Sequence, residues 1–150
     1  MPSLALKIPP VIQLVITLIL AYLLAKFYHG PVWPLAIAAL PLTVAALFFM
    51  LGGVIACRRA QTTVDPRDPS KAQCLVRRGV FKYSRNPMYL GMLLLQTAFC
   101  CYLHEIHAFI TVPLLWFSPR ELQIKSEEQS LKELFGESYL QYCQQVRRWL

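Results

Sequence analysis

From Gly30 to Cys57 the chain carries no charged residue, and that run limits its possible folds more than any other feature. A helix crossing the roughly 30 Å hydrocarbon core of a bilayer needs about 20 mostly apolar residues. The stretch from 34 to 57 is therefore read as a spanning helix. Pro41 inside it should kink the helix or be absorbed by its neighbours.

Two further apolar runs have similar character. One extends from Ile8 to Tyr28, with Pro9 and Pro10 in its first turn, where proline is tolerated. The small-residue cleavage site of a signal peptide does not follow it, so a retained first helix is expected. The other runs from Pro87 to Leu103. A fourth, from His107 to about Ser118, is short for a full crossing and should pair with the third as a hairpin. Leu103 to His107 would form its polar turn, with His104, Glu105 and His107 at the interface.

Composition agrees with lipid. Hydrophobic residues make up 56% and charged residues 15%, against about 25% charged in soluble domains. The net charge of +7 is concentrated: eight of the fifteen Lys and Arg lie in Arg58, Arg59, Arg67, Lys71, Arg77, Arg78, Lys82 and Arg85. Basic clusters beside long apolar runs read as cytoplasmic flanks, which argues against nucleic acid as the partner. The five cysteines show neither CxxC spacing nor an even count, so no zinc site or disulfide framework is indicated.

The expected architecture is an all-α, polytopic membrane bundle forming one domain over 1–150. Its spans are at about 8–28, 34–57, 87–103 and 107–118, with a cytoplasmic loop at 58–86. Four passes put both termini in the cytoplasm, consistent with Arg120, Lys125, Lys132, Arg147 and Arg148 on that side. Residues 119–150 should form amphipathic helices capping the bundle. Ser118-Pro119-Arg120-Glu121 has the pattern of a helix start, Gly136 breaks the run, and Tyr139, Tyr142 and Trp149 suit a membrane interface.

Chemistry is expected where polar residues sit beside lipid. Asn86 before Pro87 is a natural N-cap at the entry to the third span, where backbone donors favour an anion. Glu127 and Glu128 are adjacent acids, and a carboxylate in a poorly solvated cleft attracts a sulfonium or an ammonium. The alternatives are lipid-headgroup anchoring by the basic residues and an ordinary solvated helix face.

The segment Arg77-Arg-Gly-Val-Phe-Lys-Tyr-Ser-Arg-Asn-Pro-Met-Tyr-Leu-Gly91, followed by Glu127-Glu-Gln-Ser-Leu-Lys-Glu-Leu-Phe-Gly-Glu-Ser-Tyr-Leu-Gln-Tyr-Cys-Gln-Gln-Val-Arg-Arg-Trp-Leu150, resembles the paired signature of the isoprenylcysteine carboxyl methyltransferase and phospholipid methyltransferase superfamily. The similarity is to its short bacterial members and covers about Thr62 to Leu150. It implies an S-adenosylmethionine-dependent methyltransferase of a bacterial inner membrane, acting on a lipophilic carboxylate, thiol or amine acceptor.

Carried over by position, the cofactor contacts fall on Gln73, Cys74, Leu75, Val76, Phe81, Asn86, Pro87, Met88, Tyr89 and Glu127. Glu128 and Tyr89 are the candidates for proton transfer. Arg120 and Gln123 stand near the substrate position, Gln123 where eukaryotic members have an arginine. Gln73 and Asn86 likewise replace family histidines. Rival readings are a nicotinamide-dependent membrane reductase of similar architecture and a non-enzymatic membrane subunit.

Overall fold

The computed structural model describes residues 9–28, 35–62, 74–119 and 123–150. Five α-helices follow in order: α1 Pro10–Phe27, α2 Ala36–Arg59, α3 Pro87–Leu103, α4 Thr111–Pro119 and α5 Lys125–Gln145. Two 3-10 turns, Gly79–Lys82 and Ile106–Ile110, precede α3 and α4. Most of the described residues are helical, and none forms a strand.

Among the described residues, α1 and α2 are the two helices both long and apolar enough to cross a membrane. Their side chains point outward: 22% of α1 and 17% of the apolar window of α2 is buried inside the protein. A core helix of a soluble protein would be mostly covered. Here Val15, Ile19, Ile37, Leu40 and Val44 stand exposed, as side chains facing lipid would. α2 runs unbroken through Pro41. The proline lies in its second turn, where the missing N–H removes a single backbone bond.

α3 is the pivot, and its observed limits coincide with the expected ones. It packs along α2 at close range because Gly91 has no side chain. A Cβ there would lie 2.4 Å from Met50 Cγ and 2.8 Å from the Ala46 carbonyl oxygen. Its other face meets α1 and α4, where Leu14, Met92 and Leu115 form one apolar cluster and Ala21, Cys100 and Ala108 another.

Between those clusters lies a buried polar knot. Gln96 donates to Thr111 Oγ1 at 2.7 Å and to the Thr17 carbonyl at 3.3 Å, and accepts from Thr17 Oγ1 at 3.1 Å. One amide thereby ties three helices, as polar side chains do between helices in lipid. His104, in the left-handed conformation (φ 56°), ends α3. Glu105 then caps the next turn, accepting from the His107 backbone N–H at 3.3 Å.

The start of the terminal helix differs from the sequence expectation. Backbone 118–119 continues α4 instead of opening a new helix, and residues 120–122 lie outside the described segments. α5 begins at Lys125, so its first turn carries Glu127 and Glu128 in place of Glu121. Carboxylates at that position complement the helix dipole. The expected break at Gly136 is present: φ 49° and ψ −124° interrupt α5, a combination essentially confined to glycine.

Candidate functional site

The loop between α2 and α3 is pinned to the end of the chain by a series of polar contacts. The Arg85 backbone N–H donates to the Arg147 carbonyl at 3.1 Å. Ser84 Oγ and Asn86 Nδ2 each donate to the Arg148 carbonyl at 3.2 Å. Tyr142 donates its hydroxyl to the Phe81 carbonyl at 2.7 Å. Arg77 reaches the Ser138 carbonyl. These bonds fold α5 and its C-terminal tail back over the entry to α3.

Asn86 occupies the N-cap position of α3, but its side chain makes no capping bond. Pro87 at the first helical position has no N–H to satisfy. The Asn86 amide serves the Arg148 carbonyl instead, so the expected cap becomes a strut.

A cavity of about 330 Å³ opens under this fold-back, within the roughly 300–1,000 Å³ range of small-molecule sites. Cys74, Leu75, Val76 and Phe81 line it from the loop. Asn86, Pro87, Met88 and Tyr89 line it from the start of α3, and Glu127 from α5. Every described residue of the expected cofactor set therefore borders one space; Gln73 lies outside the described residues. Cys74 is anchored by its thiol to the Ala60 carbonyl at 3.2 Å.

Two helix N-termini converge here. Tyr89, in the first turn of α3, donates to Glu127 Oε1, in the first turn of α5, at 2.7 Å. Gln123 Oε1 stands farther from the same hydroxyl, at 3.4 Å. One O–H cannot serve both well, and the shorter contact is the bond that matters. Gln123 is buried, 1% exposed, behind Tyr89. Arg120 lies outside the described residues.

Glu128 faces a different set of partners. Arg148 grips it through two atoms, Nε at 3.0 Å and Nη2 on the other oxygen. Arg85 Nη1 stands 3.2 Å from Oε1. The hydrogen bond to Glu128 pushes the Arg148 guanidinium still higher than its ordinary range. Arg85 also donates to Cys143 Sγ at 2.9 Å, while its Nε is buried without a hydrogen-bond partner among the described residues. Arg85 borders the cavity, and an unsatisfied buried donor carries a free-energy cost.

Tyr139 and Tyr142 depart from their expected interfacial role. They are 4% and 3% exposed and border the cavity. Burial, the largest cause in each case, pushes both hydroxyls well above the usual phenol range, so both remain neutral donors. Trp149 packs toward Trp116, ring centroids 6.5 Å apart.

Sequence reasoning missed Arg85, Arg148, Tyr139 and Tyr142 as parts of the site. Their signal was present but weak: all four fall inside the two sequence blocks quoted above. What the sequence could not supply was the reversal at Gly136 that carries Arg148 back to Glu128.

Comparison with known proteins adds an independent line. A family model described as phospholipid methyltransferase matches residues 34–138. Over 63 residues the chain is 38% identical to an uncharacterized protein of Haemophilus influenzae, a match spanning 42% of this chain and the full length of that protein. No solved structure matches the chain.

Proposed function

Because the chain belongs to the phospholipid methyltransferase family, we propose that its cavity binds S-adenosylmethionine and that the protein methylates a lipophilic acceptor at a membrane. The observation that carries this reading is the meeting of the 74–89 and 127–142 segments around one cavity of suitable size.

The donor set suits that ligand. Leu75, Val76, Phe81 and Met88 offer apolar surface to an adenine and a methionine chain. Glu127 offers negative charge to a sulfonium or ammonium, an attraction strengthened where water is scarce. Arg85, which borders the cavity beside Glu128, offers a guanidinium to the ligand's carboxylate. Charges of both signs border the cavity, as a ligand carrying both signs requires.

When bound, S-adenosylmethionine would supply a methyl group on a positively charged sulfur. The chain's own contribution is orientation and exclusion of water. Holding two reactants in line can lower a barrier by about 7–11 kcal/mol. Glu128 is engaged by both Arg85 and Arg148, and its role is to position Arg85. For an amine or thiol, Tyr89 would act as a relay, passing its own hydroxyl proton to Glu127 Oε1 as it takes one from the acceptor; a carboxylate acceptor needs none.

We further propose that α1, α2, α3 and the 106–119 segment all cross the membrane, with both termini cytoplasmic in a bacterial inner membrane. The 106–119 segment rises about 23 Å, so it would cross at a thinned place beside α3. The acceptor would arrive sideways between helices, and the cofactor from the cytoplasm.

Equilibrium binding to the purified protein in detergent tests the reading. Adenosylmethionine should bind and reduced nicotinamide dinucleotide should not. Preference for the nicotinamide would favour a reductase, and binding of neither would leave a non-enzymatic subunit.

A further inference from the structure

On the far side of the 75–78 segment lies a second, larger groove of about 930 Å³, between the C-terminal half of α2 and the 3-10 turn at 79–82. Leu75 and Val76 border both spaces, so this stretch of chain is a thin partition. Along α2 the groove is floored by Phe48, Gly52, Ile55 and Arg59. These positions recur at helical spacing and form one stripe. The stripe rises about 16 Å from Phe48 to Arg59 and changes from apolar to basic at its end.

Gly52 shapes the floor. A Cβ there would come within 2.6 Å of Val80 Cγ1, so the glycine lets the 3-10 turn sit directly on α2. The rim is cationic: Arg59, Arg78 and Lys82 border the groove, and among the described residues no acidic one lines it. None of these three is in an ion pair among the described residues. Arg77, by contrast, is committed to α5 through the Ser138 carbonyl. Tyr83, 61% exposed, completes the rim with an amphipathic ring of the kind that favours a bilayer interface.

We infer that this groove holds an anionic phospholipid, with the headgroup phosphate on Arg59, Arg78 and Lys82 and an acyl chain lying along Phe48, Gly52 and Ile55. Charge complementarity selects the headgroup, since each basic side chain near a surface favours an anionic lipid. The apolar stripe beneath selects a lipid over a free anion. The site is separate from the cavity assigned to adenosylmethionine and stands whether or not that assignment holds. A lipid seated there would brace the Leu75–Val76 partition from behind.

Native mass spectrometry of the delipidated full chain, titrated with phosphatidylglycerol or phosphatidylcholine, tests the site. Phosphatidylglycerol should bind with 1:1 stoichiometry, at least about tenfold more tightly than phosphatidylcholine. The triple variant Arg59→Gln, Arg78→Gln, Lys82→Gln should lose that preference, as should the single variant Lys82→Glu to a lesser degree. Removing an exposed charge elsewhere, Lys132→Gln, should leave it intact. Equal retention of the two lipids overturns the inference. So does a preference that survives both rim variants, or displacement of the lipid by millimolar inorganic phosphate.

Discussion

Tyr89 Oη and Glu127 Oε1 stand 2.7 Å apart although 38 residues separate them in the chain, and this contact joins the first turn of α3 to the first turn of α5. A hydrogen bond to a charged group contributes about 1.5–3 kcal/mol when it is shielded from water. Tyr89→Phe and Glu127→Gln should therefore be strongly non-additive. In a double-mutant cycle on chemical stability, the second substitution should cost about 1 kcal/mol less in the presence of the first. Full additivity would mean that the two side chains do not meet.

Glu128 neutralises two arginines at once, Arg85 and Arg148. Removing it leaves two like charges facing each other with reduced solvent access. Glu128→Gln should lower stability by about 1–3 kcal/mol, a range below that for fully buried pairs because these groups retain some exposure. Arg148→Met should cost less, since Arg85 still balances the carboxylate. Thermal unfolding in detergent checks the order, and the reverse order would contradict the role assigned to Glu128.

Gly136 sits where φ is positive and ψ is −124°, with nothing within 4 Å of a Cβ built on it. Space is available, so any cost of Gly136→Ala is conformational, about 1–3 kcal/mol. The variant should also weaken ligand binding, because the break directs Tyr139, Tyr142 and Arg148 back to the loop before α3. Unchanged affinity in this variant would show that the fold-back is dispensable.

Gln96 ties α1, α3 and α4, yet its two hydroxyl partners each have a backbone carbonyl in reach as an alternative or additional acceptor: Thr17 has Leu14 at 2.9 Å and Thr111 donates to Ala108 at 2.7 Å. They stay satisfied without it. Gln96→Leu should therefore cost only about 0.6–1.7 kcal/mol, the range for interhelical hydrogen bonds in a bilayer. Gly91→Ala should cost more, because its new methyl meets the α2 backbone and overpacking of that kind costs about 1–3 kcal/mol. Parallel unfolding of the two variants checks the ranking.

Much of this was legible from the chain alone. The charge-free run before Arg58 announced α2, and Pro87 fixed the start of α3, because uninterrupted apolar character and helix-start chemistry are local properties. The cavity was legible only through resemblance: Leu75, Glu127 and Tyr89 carry no local pattern that brings them together. Hidden entirely were the pairing of Glu128 with Arg148 and the burial of Tyr139 and Tyr142. Both depend on a chain reversal set by one glycine's dihedral angles. Ser118 and Pro119 misled for the opposite reason: their pattern is a good helix start, but the preceding helix had not yet ended.

Where adenosylmethionine sits decides the functional reading. Ultraviolet cross-linking of the radiolabelled compound to the purified protein, followed by peptide mapping, locates it. Label should appear in peptides containing 74–89 and 127–142, and should fall at least about tenfold in Glu127→Ala, equivalent to about 1.4 kcal/mol of binding. Saturable label confined to other peptides, or undiminished in Glu127→Ala, would contradict the assignment of the cavity.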